Sequence, residues 1–154
     1  MPHSVRLLPL DADGIERLLA VAVAEATEEN VMPPVDEPPG WSPTRQEAFR
    51  QFYRLHHQDM YEVLADDRTV GMIRLTPCAT EGVAETGMWI GASARGQGIG
   101  AAALQAGLTQ ATERGWKSVV ADTTPDNTAA IRALVGAGGA IRYEDDKVLA
   151  TFVL

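Results

Sequence analysis

The spacing of apolar residues changes several times along the chain. In "SVRLLPL" they crowd into a short run that predicts a first strand. Just beyond it, Ile15, Leu18, Leu19, Ala22 and Ala26 recur three or four apart, one stripe of a helix. Asp11 or Asp13 can cap that helix by accepting from the free N–H groups of its first turn, and the stripe predicts an end near Asn30. "VMPPVDEPPGW" then puts four prolines and a glycine into eleven residues, which removes backbone donors and predicts a loop. Ser42 followed by Pro43 makes a cap and a first turn. Phe49, Phe52, Tyr53 and His56 give a second helical stripe, more readily core than ligand site.

From Met60 the period shortens to two. "MYEVLADDRTVGMIRLTP" holds two extended runs around Asp66-Asp67, a hairpin pattern, and "GVAETGMWIG" is a third extended run ending at Ile90. Helical spacing returns between Gly98 and Arg114, with Leu104, Leu108 and Ala111 on one face and Gly115 as a stop. "KSVVAD" predicts a short strand, and "PDNTAAIRALVGAG" a helix with Ile131, Leu134 and Val135 inward. "AIRYEDDKVLATFVL" predicts a hairpin turning between Glu144 and Asp146. The order β-α-α-β-β-β-α-β-α-β-β predicts an α/β (α+β) fold, a mixed sheet with helices, in one domain over residues 1–154.

Composition narrows the classes. With 154 residues, 45% hydrophobic and 22% charged, the chain can bury a core of its own. One cysteine, Cys78, cannot form an internal disulfide, no Cys/His cluster has metal-ligand spacing, and adjacent His56 and His57 diverge on a helix. The start, "MPHSVRLLPLDAD", lacks the apolar core of a signal peptide, and uncharged Gly96 to Thr112 is too short and polar for a membrane span. A cytoplasmic protein without a membrane partner is expected. Net charge of −8 speaks against nucleic acid, which needs a basic face. All of the imbalance lies in residues 1–67, thirteen acidic against five basic, and chiefly between Asp11 and Glu37. Such a run is either a solvated helix face or an attractor for a cationic ligand.

The candidate chemistry sits in "ASARGQGIGAAA", residues 92–103. Alternating glycines before a helix let a backbone approach a ligand closely, and free N–H groups at a helix start suit phosphate oxygens. No Gly-Lys-Ser/Thr follows, which excludes a nucleoside-triphosphate loop. Gly96, Gly98 and Ala101 do satisfy G-x-G-x-x-A, and Asp122 ends the next strand. A dinucleotide turn, however, starts at the strand end, whereas five residues separate Ile90 from Gly96, and only 32 residues follow Asp122.

Arg95-x-x-Gly98-x-Gly100 resembles the pyrophosphate loop of the GNAT N-acetyltransferases. "AETGMWIGASARGQGIGAAAL" is similar to that family's fourth strand, loop and third helix, and "DTTPDNTAAIRALVGAGGA" to its fifth strand and fourth helix. The likeness runs from about Met60 to the C-terminus, nearest the branch that acts on ribosomal-protein N-termini, and is looser before it. It implies a mostly antiparallel sheet of six to seven strands flanked by four helices and splayed between strands four and five. It also implies acetyl-CoA as cofactor, and a monomer or homodimer. The pantetheine arm would lie in the splay against the backbone of Met88, Trp89 and Ile90. The pyrophosphate would face the amides of Arg95, Gly96, Gln97, Gly98, Ile99, Gly100 and Ala101, and Asn127, with small Ala130 nearby, would bond the arm. As a preferred cap residue, Asn127 equally suits a helix start.

The resemblance places a general base at Glu85 or Asp122, which must take a proton as an amine attacks the thioester. Backbone N–H groups of Trp89 or Ile90 would polarise the thioester carbonyl. The family's usual tyrosine acid, seven residues past the asparagine, is Leu134 here, which leaves Tyr143, Thr124, water or an unprotonated thiolate. The acceptor would bind beside the first two helices, where Glu28, Glu29 and their acidic neighbours favour a cation and Trp41 and Tyr53 can supply walls, although both also suit the core. A small cationic amine is the expected acceptor, an aminoglycoside-like antibiotic or a polyamine, with a peptide N-terminus or a chemically weak CoA-binding module as alternatives.

Overall fold

A computed structural model describes residues 3–154. The elements are β1 (Val5–Pro9), α1 (Ala12–Glu25), α2 (Pro43–His56), β2 (Met60–Ala65), β3 (Arg68–Pro77) and β4 (Val83–Ile90), then α3 (Ile99–Glu113), β5 (Ser118–Thr123), α4 (Thr128–Gly136), β6 (Ala140–Glu144) and β7 (Lys147–Val153). This is the order that hydrophobic spacing predicts. The seven strands form one sheet, β1-β2-β3-β4-β5-β7-β6, antiparallel throughout except where β4 meets β5.

Local chemistry explains the boundaries. Asp11 caps α1 by accepting from the Gly14 amide, and Ser42 caps α2 by accepting from the Arg45 amide. Asp66 and Asp67 both take positive φ, the primed turn that a two-residue hairpin requires. Gly115 stops α3 in the left-handed region. One boundary differs from expectation: α1 ends at Glu25, and Glu28–Asn30 is a separate 3₁₀ turn. The indole N–H of Trp41 takes the Ala26 carbonyl at 3.1 Å, and Ala26 is already extended. Val135, expected inward, is 55% exposed, because Ala130, Ala133, Leu134 and Ala137 turn the other face of α4 toward the protein.

Each face of the sheet has its own core. One packs α3 and Leu134 of α4 against Val63, Ile73, Leu75, Ala84 and Val119. The other packs α1 and α2 against Met60, Met72 and Trp89, with the stacked rings of Phe49 and Tyr53 at its centre. Under α1 lies fully buried Glu62, held by both nitrogens of an Arg17 fork at 2.7 and 2.9 Å and by the Thr69 hydroxyl. Among the described residues, no helix is long and apolar enough to cross a membrane.

Candidate active site

Parallel pairing between β4 and β5 lasts three residues, Val83–Glu85 against Ser118–Val120, and then the strands part. Backbone groups alternate between the two edges of a strand. Because the Gly91 amide donates to the Val70 carbonyl on β3, the groups of Trp89 and Gly87 also face β3, and those of Met88 and Ile90 face the gap. The Trp89 backbone is therefore turned away from the gap, a correction to its expected role there. Its indole instead donates to the Tyr53 hydroxyl at 2.9 Å, which donates to the Val31 carbonyl at 2.7 Å. Burial pushes the Tyr53 phenol up, so it stays protonated and structural.

The gap is a slot of about 160 Å³ between Thr86–Met88 and Ala121–Thr123, lined also by Leu104, Asn127, Ala130, Ala133 and Leu134. Small Ala130 and Ala133 keep it open. The Asn127 side-chain oxygen caps α4 by accepting from the Ala130 amide at 3.2 Å, its NH₂ has no protein acceptor among the described residues, and the residue also lines the slot. Cap and slot wall are thus one residue. At the end of β4, Ala92–Ala94 form a 3₁₀ turn, the Arg95 guanidinium closes back on the Ile90 carbonyl at 3.0 Å, and Gln97 bonds the Ser93 carbonyl. Arg95 and Gln97 thereby spend their side chains on the loop itself.

Gly96 and Gly98 have φ of +74° and +79°, and a side chain on either would meet nothing within 4 Å. Their requirement is conformational, and the space over them is open. Gly98 starts α3 without a side-chain cap, and among the described residues the amides of Gly96 through Ala101 donate to no protein acceptor. Glu25, from the last turn of α1, accepts the Ser93 amide at 2.7 Å, and hydrogen bonding from Ser93 holds its carboxyl below the usual range.

On the α1 and α2 face, a cleft of about 340 Å³ lies between Glu29–Pro33, Phe52, Tyr53 and the strand residues Met60, Met72, Arg74 and Gly87–Trp89. Beside it, Arg74 pairs with Glu85 at 2.9 Å. Glu85 and Asp122 both line a further hollow of about 500 Å³ over β5, β7 and β6. Asp122 pairs there with Lys147 at 3.7 Å. The acidic run is mostly consumed internally. Glu28 takes the Gly40 amide, which lowers its carboxyl below the usual range, Glu37 takes the Ser42 hydroxyl, and Glu25 serves the loop. Of the four acceptor candidates only Glu29 and Tyr53 reach the cleft, while Trp41 packs edge-on against Phe49.

Over residues 19–137 the chain matches the family model described as Acetyltransferase (GNAT) family. It belongs to the GNAT acetyltransferases. Several solved structures share the fold over nearly the whole chain. The ribosomal L7/L12 α-N-protein acetyltransferase RimL, in complex with coenzyme A, superposes with TM-score 0.76 at 21% identity, covering 98% of this chain and 94% of that one. The Salmonella typhimurium enzyme that modifies the N-terminal serine of L7/L12 gives 0.73 at 19%, over 98% and 95%. The microcin C7 self-immunity acetyltransferase MccE, with acetyl-CoA and AMP, gives 0.73 at 15%, over 97% and 92%. No curated protein sequence matches the chain.

The GNAT chain is thus an acetyl-CoA-dependent N-acetyltransferase, and its own atoms fit that cofactor. Unpartnered amides at the mouth of α3 suit a diphosphate, and the backbone of Met88 with the N–H of Ile90, whose carbonyl is held by Arg95, suits an amide-bearing arm. The expected acid remains absent: Leu134 is buried in the slot wall, Tyr143 lies 65% exposed on β6, and Thr124 is outside the slot. Patterning missed Arg74 and Gly87, and counted Glu25 with the acidic neighbours of the acceptor, whereas it holds the Ser93 amide. A glycine inside an apolar strand, facing a lone arginine in the run before it, was the available sign of the first two.

Proposed function

We propose that this GNAT acetyltransferase moves the acetyl group to the N-terminal amine of a protein or peptide, rather than to a small polycation. One observation carries the reading: the charges lining the acceptor cleft are Glu29 and Arg74, the latter paired at the cleft's edge with Glu85, while most of the acidic run is spent on backbone amides and loop contacts. A polyamine or aminoglycoside would bring further ammonium groups against a guanidinium and find, beyond the Glu85 that meets the reacting amine, one solvated carboxylate, Glu29, for compensation. An N-terminal amine brings a single charge. Two of the structural neighbours act on ribosomal L7/L12, which agrees with this choice of acceptor.

Bound acetyl-CoA supplies the acetyl group as a thioester. The α3 mouth holds its diphosphate, and the Met88 and Ile90 backbone directs the arm down the slot. The Met88 N–H, facing the slot, is positioned to donate to the thioester oxygen as charge builds there. Glu85 sits one residue before the strands part and has Oε2 free of the Arg74 pair, so it takes the proton from the attacking nitrogen. The new C–N bond forms as the C–S bond breaks, and coenzyme A leaves as thiol or thiolate. An α-amine with an ordinary pKa near ~8 is already partly neutral at pH 7, so the demand on that base is smaller than for a lysine-like amine.

Thiol release from acetyl-CoA, measured against N-terminal peptides, polyamines and aminoglycosides, tests the reading. Peptides should turn over, with the acetyl group located on the α-amine by mass spectrometry. Turnover confined to polyamines or aminoglycosides would overturn it.

A further inference from the structure

Gly87 lies in the middle of β4, in register with Arg74 on β3. A Cβ at Gly87 would come within 2.8 Å of Nη2, 2.9 Å of Nε and 3.0 Å of Cζ of Arg74. The glycine therefore leaves room for the guanidinium to lie across β4 and reach Glu85. There Nη1 donates to Thr76 Oγ1 at 3.2 Å and Nη2 donates to Glu85 Oε1 at 2.9 Å. A guanidinium carries five N–H donors, and three of these have no acceptor among the described residues. The side chain is 33% exposed, in a cleft walled by Met32, Met60, Met72 and Phe52, which accept no strong hydrogen bond.

We propose that Arg74 recognises the acceptor, binding the carbonyl oxygen of an α-amino carbonyl group while the neighbouring Glu85 receives its amine. The inference rests on the N-terminal amine reading above and specifies how that amine is selected. In H₂N–CHR–C(=O)– the nitrogen and oxygen are two carbons apart, so they meet groups that are themselves neighbours. Arg74 Nη2 and Glu85 Oε1, 2.9 Å apart, are such a pair of opposite sign. A guanidinium gains a charge-assisted bond to a carbonyl or carboxylate oxygen, and none to an ammonium. A peptide N-terminus and a free amino acid share this chemistry.

Three acceptors with the same side chain test it: a short peptide, the free amino acid, and the amine in which CH₃ replaces the carbonyl group, which leaves no oxygen to accept from the guanidinium. The wild type should favour the carbonyl acceptors over this alkylamine in kcat/KM by about ten- to a hundredfold, the worth of one hydrogen bond to a charged group. Arg74→Met, which suits the methionine-lined wall, should remove that preference while calorimetry shows coenzyme A binding unchanged. Gly87→Ala, which displaces the guanidinium without deleting it, should act in the same direction and serves if Arg74→Met fails to fold. If Arg74 only steadies Glu85, all three acceptors fall by one factor and the preference survives, which overturns the inference. An alkylamine used as well as the carbonyl acceptors by the wild type also overturns it. Turnover of free amino acids but of no peptide overturns the peptide reading and leaves Arg74 in its role. Turnover of none of the three overturns both.

Discussion

At the scale of single residues, the site divides into groups that act through backbone and groups that act through side chains. Gly98 is of the first kind. Its φ of +79° is one that residues with a Cβ adopt at a cost of about 1–2 kcal/mol. Gly98→Ala should therefore lower the unfolding free energy by that amount in a denaturant titration, and weaken coenzyme A by tilting the free amides behind it. Glu85 is of the second kind, a carboxylate on the acceptor face with one oxygen in the Arg74 pair. On the mechanism proposed above, Glu85→Gln keeps the shape and loses the base. In a thiol-release assay it should cut kcat by roughly 10²–10⁴-fold, with coenzyme A affinity in calorimetry untouched. Backbone chemistry of this kind was legible in the sequence, because alternate glycines before a helix have few other uses. Side-chain roles were less so. Asn127 reads as cap or ligand from its type alone, and only the position of its Ala130 bond on the rim of the slot joins the two. Glu28 looked available as a surface charge until the Gly40 amide, twelve residues away, was seen to occupy it.

At the scale of elements, one tie joins the acceptor side to the cofactor side and another holds the acceptor side together. Glu25 fastens the end of α1 to the turn that leads into the glycines. Its folded-state pKa is depressed, so the stability it contributes is present above the ordinary glutamate value of about 4.3 and is lost as pH falls through the lower folded value. Thermal unfolding of wild type and Glu25→Gln should differ by a constant amount from pH 5 upward and converge in more acid solution. Arg45, 5% exposed, fastens the proline-rich loop to α2: its guanidinium donates to the carbonyls of Pro38, Gly40 and Glu37 at 2.6, 2.5 and 3.1 Å. Arg45→Met should cost roughly 1.5–3 kcal/mol in chemical denaturation and raise KM for the acceptor more than for acetyl-CoA, because that loop bounds the cleft near Val31 to Pro33. Strands and helices followed their hydrophobic spacing closely. The end of α1 did not, since helical spacing continues through Ala26 while a tryptophan fifteen residues later claims its carbonyl.

At the scale of the whole molecule, a mostly antiparallel sheet flanked by four helices was implied by the family resemblance, but the distribution of charge over the surface was not. Net charge is additive along a chain, whereas availability to a ligand depends on which carboxylates the fold has already used. The splay has a mechanical meaning as well. Between the half of the sheet that carries β1 to β4 and the half that carries β5, β7 and β6, the main-chain connection is three residue pairs long. A cofactor arm laid along Met88 and Ile90 would serve as the missing rung of that ladder. In hydrogen–deuterium exchange those two amides should trade protons quickly in the free enzyme and slowly once coenzyme A is bound, while the amides of Trp89 and Gly91, already paired with β3, stay slow in both. By that route the donor would brace the very wall against which the acceptor must press, and an order of entry, donor first, follows from how a sheet is stitched.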